Sequence, residues 1–115
     1  AAKKLTNLCL IIDNNNLQID GTLEEVNSPY PIAEKFAAFG YHVIEADAHD
    51  FDQLEAAFNE ARSYTDKPTA IVLKSVKGKG VSFMENECGW HGKAPNQEQY
   101  EAAMAELKAA LAALE

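Results

Sequence analysis

The sequence predicts an α/β fold, half of a doubly wound parallel sheet in which three strands alternate with helices. Strand-like segments at residues 8–12, 42–46 and 70–76 are separated by stretches whose apolar residues recur at helical spacing. Such alternation marks parallel strands joined by crossover helices. The chain also opens on a strand, with neither a helix before it nor a phosphate-binding glycine loop after it, as the second half of a doubly wound domain would. Residues 1–115 are therefore expected to be a fragment of a larger unit. The third observation is the polar burst DNNNLQIDG, residues 13–21, directly after the first strand, where open α/β sheets bind their ligands.

Each element has its own warrant. Leu8-Cys9-Leu10-Ile11-Ile12 is a short apolar run of the kind buried in parallel sheets. The three asparagines after it form neither strand nor helix well, and an Asn-rich turn is the plain structural explanation. Their amide oxygens are also neutral acceptors, suited to a hard cation such as Mg²⁺ that already has a phosphate and a carboxylate around it. Ile32, Phe36 and Phe39 then recur at helical spacing, with Pro31 near the start and Gly40 as a left-handed stop. In the next helix Asp50 can cap and Gln53 can reach back, while Phe51, Leu54, Phe58 and Ala61 form an apolar stripe. The third strand centres on Ile71-Val72-Leu73. A polar, glycine-bearing loop over residues 77–95 follows, and connections this long in compact domains usually cover a site. A last helix starts at about Gln97 with Asn96 as its cap, and Tyr100, Ala103, Leu107, Leu111 and Leu114 share a face.

Charge and composition exclude several function classes. With 115 residues there is one small domain. Ten Lys+Arg against 18 Asp+Glu give a net charge of −8, which argues against nucleic acid or an anionic membrane as partner. No apolar stretch is long enough to span a bilayer, and Ala1-Ala2-Lys3-Lys4 lacks the apolar core of a signal peptide, so a cytoplasmic location is expected. Cys9 and Cys88 are too few for a disulfide framework and fit a reducing compartment. Cys88 and His91 stand three apart with no further ligands at zinc spacing.

A second constellation follows the third strand. It reads Lys74-Ser75-Val76-Lys77-Gly78-Lys79-Gly80-Val81, then Trp90-His91-Gly92-Lys93-Ala94-Pro95. Glycines let the backbone approach a ligand closely, and lysines supply positive charge for a phosphate. Alone, KGKG describes many solvated turns, and a loop histidine is more often a surface or packing residue. The conjunction matters, because DNNNLQIDG and KGKG…WHG both fall on the ligand edge of one expected sheet. His42, in an alternating strand, is read as packing or facing solvent, and His49 as orienting the helix start. Neither is placed in the site.

These residues resemble the transketolase family. NLCLIIDNNNLQIDG, YHVIEADAHDFDQL, KSVKGKGVSFMEN and GWHGKAP occur in family order over nearly the whole chain. The resemblance implies the latter part of the N-terminal, thiamine diphosphate-binding domain, without its upstream Gly-Asp-Gly segment. It implies that Asn15 binds the metal, Mg²⁺ or Ca²⁺, through its side-chain oxygen, and that Leu17 does so through its backbone carbonyl. Asn15, Ile19 and Lys77 would contact thiamine diphosphate, with Ile19 near the thiazolium ring, and His91 would be the active-site histidine touching cofactor and sugar. Where the family often has Asp-Gly-His, this chain has Asp47-Ala48-His49.

The activity implied is transfer of a two-carbon ketol unit from a ketose phosphate to an aldose phosphate. The partners implied are sugar phosphate substrates, the remaining transketolase domains or a separate C-terminal subunit, and a second copy in a homodimer of the intact enzyme. Because the Gly-Asp-Gly aspartate and the glutamate of the pyrimidine-binding domain lie elsewhere, the 115 residues alone are expected to be inactive. Two other readings stay open at this point: a related thiamine diphosphate enzyme, either a deoxyxylulose phosphate synthase or a dehydrogenase first component, and a non-catalytic α/β module. WHGKAP favours transketolase over the first.

Overall fold

The structure, a computed structural model, describes residues 3–114. Its centre is a three-stranded parallel sheet of β1 (Cys9–Asn14), β4 (His42–Asp47) and β5 (Thr69–Lys74), with β5 in the middle. Between β1 and β4 lie a hairpin, β2 (Leu17–Gln18) and β3 (Gly21–Thr22), the single helical turn α1 (Leu23–Val26) and the helix α2 (Ile32–Ala38). Helix α3 (Phe51–Ser63) joins β4 to β5, and α4 (Gln97–Ala112) closes the chain.

The central strand explains the register. Ile71 is fully buried and opposite both Ile11 and Ile44, and Thr69, Ala70 and Val72 are buried with it. A strand with parallel neighbours on both sides and helices on both faces is expected to be continuously apolar. The chain passes from β1 over β5 to β4 and then reverses to β5. With right-handed crossovers this puts α2 and α3 on opposite faces. The clefts beside β1 agree: Ile12 lines one with Ile32 and Phe36 of α2, whereas Cys9 lines another with Phe58 and Ala61 of α3. Residues 9 and 12 point to opposite faces of a strand.

Helix ends follow their side-chain chemistry. Asp50 accepts from the backbone N–H groups of Asp52 and Gln53 at the start of α3, holding its carboxyl below the usual carboxylate range, chiefly through the Gln53 N–H. Gln53 does reach back, donating to Asp50 Oδ2 and accepting from the Asp47 N–H. Thr22 with Glu25 and Asn96 with Gln99 form reciprocal capping boxes. Pro31 caps α2, and Gly40 takes φ 85° just beyond it.

Three expectations about packing need correction. Phe39 and Phe51, assigned to apolar helix faces, are 72% and 84% exposed. Phe39 caps the end of α2 and Phe51 is the first residue of α3, so neither is far enough inside its helix to reach the sheet. The buried residue of α3 is Ala57, beside the expected stripe of Leu54, Phe58 and Ala61, and the close approach of helix to sheet favours that small side chain. On α4 the buried residue is Ala103, whereas Tyr100, Leu107, Leu111 and Leu114 of the expected face are exposed. The hairpin and α1, not anticipated, begin in the asparagine-rich turn and fill the stretch before α2.

Candidate cofactor and active site

The asparagine run is shaped by its own side chains. Asn14 closes β1, and Asn16 adopts a left-handed φ of 61°, which asparagine tolerates better than most residues. Asn14 Oδ1 accepts from the Asn16 N–H at 3.4 Å, and Asn15 Oδ1 from the Leu17 N–H at 3.0 Å. The Tyr30 hydroxyl, from the segment before α2, lies 3.1 Å from Asn14 Oδ1 and 3.2 Å from Asn16 Oδ1, within donating distance of both. The Asn16 carbonyl accepts from the Leu23 N–H. Asn15 and Leu17 are thus held at the junction of sheet and hairpin, with a second lone pair still available on the Asn15 amide oxygen.

The loop after β5 is built of successive hydrogen-bonded turns. The Asn86 N–H donates to the Lys77 carbonyl and the Val81 N–H to the Gly78 carbonyl. Gly78 and Gly80 sit at φ 73° and 94°. The two lysines of KGKG have different settings. Lys79 Nζ is 3.5 Å from Glu85 Oε1, and the Glu85 carboxyl is held below its ordinary range chiefly by the Gly80 N–H. Lys77 instead lines a cavity with Asn15 and Leu17.

His91 ends a 3₁₀ turn, Cys88–His91, whose anchors are its neighbours. The Trp90 indole N–H donates to the Phe83 carbonyl at 3.1 Å, the Lys93 ammonium lies 5.1 Å from the Trp90 ring centre, and the Cys88 thiol donates to the Gly21 carbonyl of β3 at 3.5 Å. The last contact ties the turn to the hairpin that carries Leu17.

Asn15, Leu17, Lys77 and His91, drawn from three separate segments, converge with Gln18 and Cys88 on one cavity of about 50 Å³. Its size suits a small ion or a few waters and is far below that of a cofactor pocket. A wider cleft of about 910 Å³ opens beside it along the carboxyl ends of the strands. It shares Asn15 and is lined also by Asn14, Asn16, Asp47, Lys74 and Ser75, but not by Lys77 or His91. The smaller cavity identifies the site better, because it is where the chemically distinctive residues meet. Ile19 does not line it; that residue sits at the hairpin turn, 63% exposed. Among the described residues no group of three or more His, Cys, Asp or Glu could hold a metal. Asn15 and Leu17 could offer two neutral oxygens, a hard donor set that fits Mg²⁺ or Ca²⁺ as part of a larger shell.

Two side chains that the sequence left outside the site belong to its frame. His49 Nε2 accepts from the Val76 N–H at 2.8 Å, bridging the β4–α3 turn to the residue before Lys77; its place after β4 was visible, its partner was not. Glu106 of α4 accepts from the N–H and the hydroxyl of Ser82, both at 2.6 Å. These bonds, the hydroxyl first, hold the Glu106 carboxyl below its usual range. A carboxyl whose folded value is depressed stabilises the fold fully above its unfolded value and loses that contribution as pH falls through the folded one. Glu106→Gln should therefore lower Tm at neutral pH, and the difference should begin to shrink only below about pH 4, where free carboxylates protonate, and close once pH has fallen below the depressed folded value. A Tm difference unchanged with pH in thermal melts would refute the ionic origin.

The fold and site define an α/β domain whose candidate ligand-binding residues gather at the carboxyl ends of parallel strands. Comparison with known proteins agrees. The family model "Transketolase, thiamine diphosphate binding domain" matches residues 1–111. The chain is 39% identical over 112 residues to an apulose-4-phosphate transketolase subunit from Phocaeicola vulgatus, covering 97% of this chain and 40% of that relative. It is 38% identical over 106 residues to the 6-deoxy-6-sulfo-D-fructose transketolase subunit SqwG of Clostridium sp., covering 92% of this chain and 38% of that one. The crystal structure of transketolase from Campylobacter jejuni superposes with a TM-score of 0.86 at 28% identity, over 93% of this chain and 17% of that chain. The chain belongs to the transketolase family, in its thiamine diphosphate-binding domain. It spans about two fifths of the length of those subunit relatives.

Proposed function

We propose that the protein carrying this chain transfers a two-carbon ketol unit from a ketose phosphate to an aldose phosphate, using thiamine diphosphate and Mg²⁺ or Ca²⁺. The carrying observation is the convergence of Asn15, Leu17, Lys77 and His91 on one cavity at the sheet's ligand edge. Thiamine diphosphate, when bound, supplies the electron sink for carbon–carbon cleavage that no side chain offers.

This chain's residues bind and orient. The Asn15 amide oxygen and the Leu17 carbonyl would hold the metal, a backbone ligand explaining why an apolar side chain can stand at that position. Lys77 contributes fixed positive charge, which lowers the cost of negative charge developing nearby in a site of restricted solvent access. His91 hydrogen-bonds substrate hydroxyls and can carry a proton on a ring nitrogen. Ile19 offers an apolar contact to the cofactor. Two neutral oxygens leave the metal's charge uncompensated, so the scheme needs the carboxylate of an upstream Gly-Asp-Gly segment and residues from other domains or a C-terminal subunit. It also implies a homodimer and a cytoplasmic setting for the intact enzyme. No described helix is long and apolar enough to cross a membrane. The names of the subunit relatives support a split arrangement.

The test is ketol transfer between sugar phosphates by the intact protein with thiamine diphosphate and Mg²⁺. No transfer with any of a panel of ketose phosphates would favour the non-catalytic module. Within an active enzyme, Asn15→Ala should weaken metal-dependent cofactor binding at least tenfold, about the loss expected when a metal site is stripped of one of its few supporting groups. Leu17→Ala should be far milder because its carbonyl remains. Titration calorimetry at varied Mg²⁺ reads both, and an unaltered Mg²⁺ dependence in Asn15→Ala would reduce that residue to a turn former.

A further inference from the structure

We propose that His49 is a positioning residue for Lys77, acting as a neutral imidazole that fixes the Val76–Lys77 peptide. The proposal rests on the function assigned above to Lys77. His49 Nε2 lies 2.8 Å from the Val76 backbone nitrogen, whose hydrogen it can accept only when that ring nitrogen carries no proton. The tautomer is therefore the one protonated at Nδ1.

The turn bearing His49 is itself held rigidly. Its own N–H donates to Asp47 Oδ1 at 2.8 Å, the Asp47 N–H donates to Gln53 Oε1 at 3.0 Å, and Gln53 is tied to the Asp50 cap of α3. The neighbouring Ala48 N–H donates to the Lys74 carbonyl at 2.9 Å. Ala48 is not among the left-handed residues, so the alanine in place of the family's frequent glycine leaves this turn intact. Two bonds from one turn thus grip the end of β5 at Lys74 and Val76, and the peptide after Val76 leads into Lys77. The Lys77 carbonyl is held from the other side by the Asn86 N–H. Only the neutral ring performs the clamp.

Two amide replacements separate the ring atoms. In His49→Gln the side-chain oxygen falls near the place of Nε2 and can still accept from Val76. In His49→Asn it falls near Nδ1 and cannot reach. In the intact protein, thiamine diphosphate affinity measured by calorimetry with Mg²⁺ should weaken about tenfold in His49→Asn and stay within about threefold in His49→Gln, as expected for losing one hydrogen bond. Amide exchange at Val76 should quicken in the Asn variant only. A general loss of packing would instead lower Tm in both variants without sparing Gln. Nitrogen chemical shifts of His49 should report an unprotonated Nε2. A protonated Nε2, or equal affinities in both variants and the unmodified protein, would overturn the proposal. Failure of the unmodified protein to bind thiamine diphosphate would overturn the function assigned to Lys77, and the chemical shifts and amide exchange would still decide the clamp.

Discussion

In the intact enzyme, His91→Ala is expected to cut kcat by roughly 10²-fold while thiamine diphosphate affinity changes little, the loss typical of removing a proton-transfer or hydrogen-bonding group from the reacting substrate. The structure separates this effect from a folding defect. The 3₁₀ turn that carries His91 is anchored by the Trp90 indole on the Phe83 carbonyl, by the Cys88 thiol on the Gly21 carbonyl and by Lys93 over the Trp90 ring. All three anchors survive truncation at His91, an exposed residue. His91 lines the cavity that Asn15, Leu17 and Lys77 also line. Steady-state kinetics with a melting curve checks the assignment. Near-normal kcat at saturating substrate, with KM and cofactor constants raised together and Tm lowered, would make His91 a loop clamp and remove it from the catalytic residues.

Gly78→Ala is expected to destabilise the loop severely, by about 2–4 kcal/mol from the combined cost of left-handed backbone and overpacking. At φ 73° a β-carbon here would lie 2.5 Å from the Met84 carbonyl oxygen and 2.6 Å from its carbon. Both atoms are backbone, so no rotamer change relieves the clash. Relief requires opening the turn, which moves Lys77 on one side and the Val81 N–H bond to the Gly78 carbonyl on the other. Cofactor affinity should fall with stability in this variant, since Lys77 is displaced. Gly80→Ala is the control: its left-handed φ of 94° carries a backbone penalty, but its nearest new contact is a Leu107 side-chain methyl at 3.4 Å. Calorimetric melts should rank Gly78→Ala well below Gly80→Ala. Equal Tm values for the two would show that Met84 yields readily and that Gly78 is not demanded by close approach.

The sequence carried the sheet and most of the punctuation. Apolar runs located all three parallel strands to within two residues at their ends, Asp50 and Asn96 marked helix starts, and Gly40 marked a stop. These signals are local, written in periodicity and in the capping chemistry of single residues. Four of the five site residues named from the resemblance are gathered on one cavity, because all four follow strands whose carboxyl ends lie side by side. What the sequence could not convey depends on partners distant along the chain. Phe39 and Phe51 fit helical stripes yet face solvent, since a spacing rule ignores how near a residue lies to the end of its helix.

By itself, then, the amino-acid order determined the fold class, the strand order's raw material and a candidate ligand edge, because hydrophobic period, turn residues and motif spacing act over a few positions. Only the tertiary structure decided that Lys77 and not Lys79 faces the cavity, that Cys88 binds the His91 turn to the hairpin, and that His49 grips the backbone 27 residues further on. The physical reason is common to the three. Each depends on which segments the parallel sheet brings together at its edge, and adjacency across a sheet edge has no trace in local sequence.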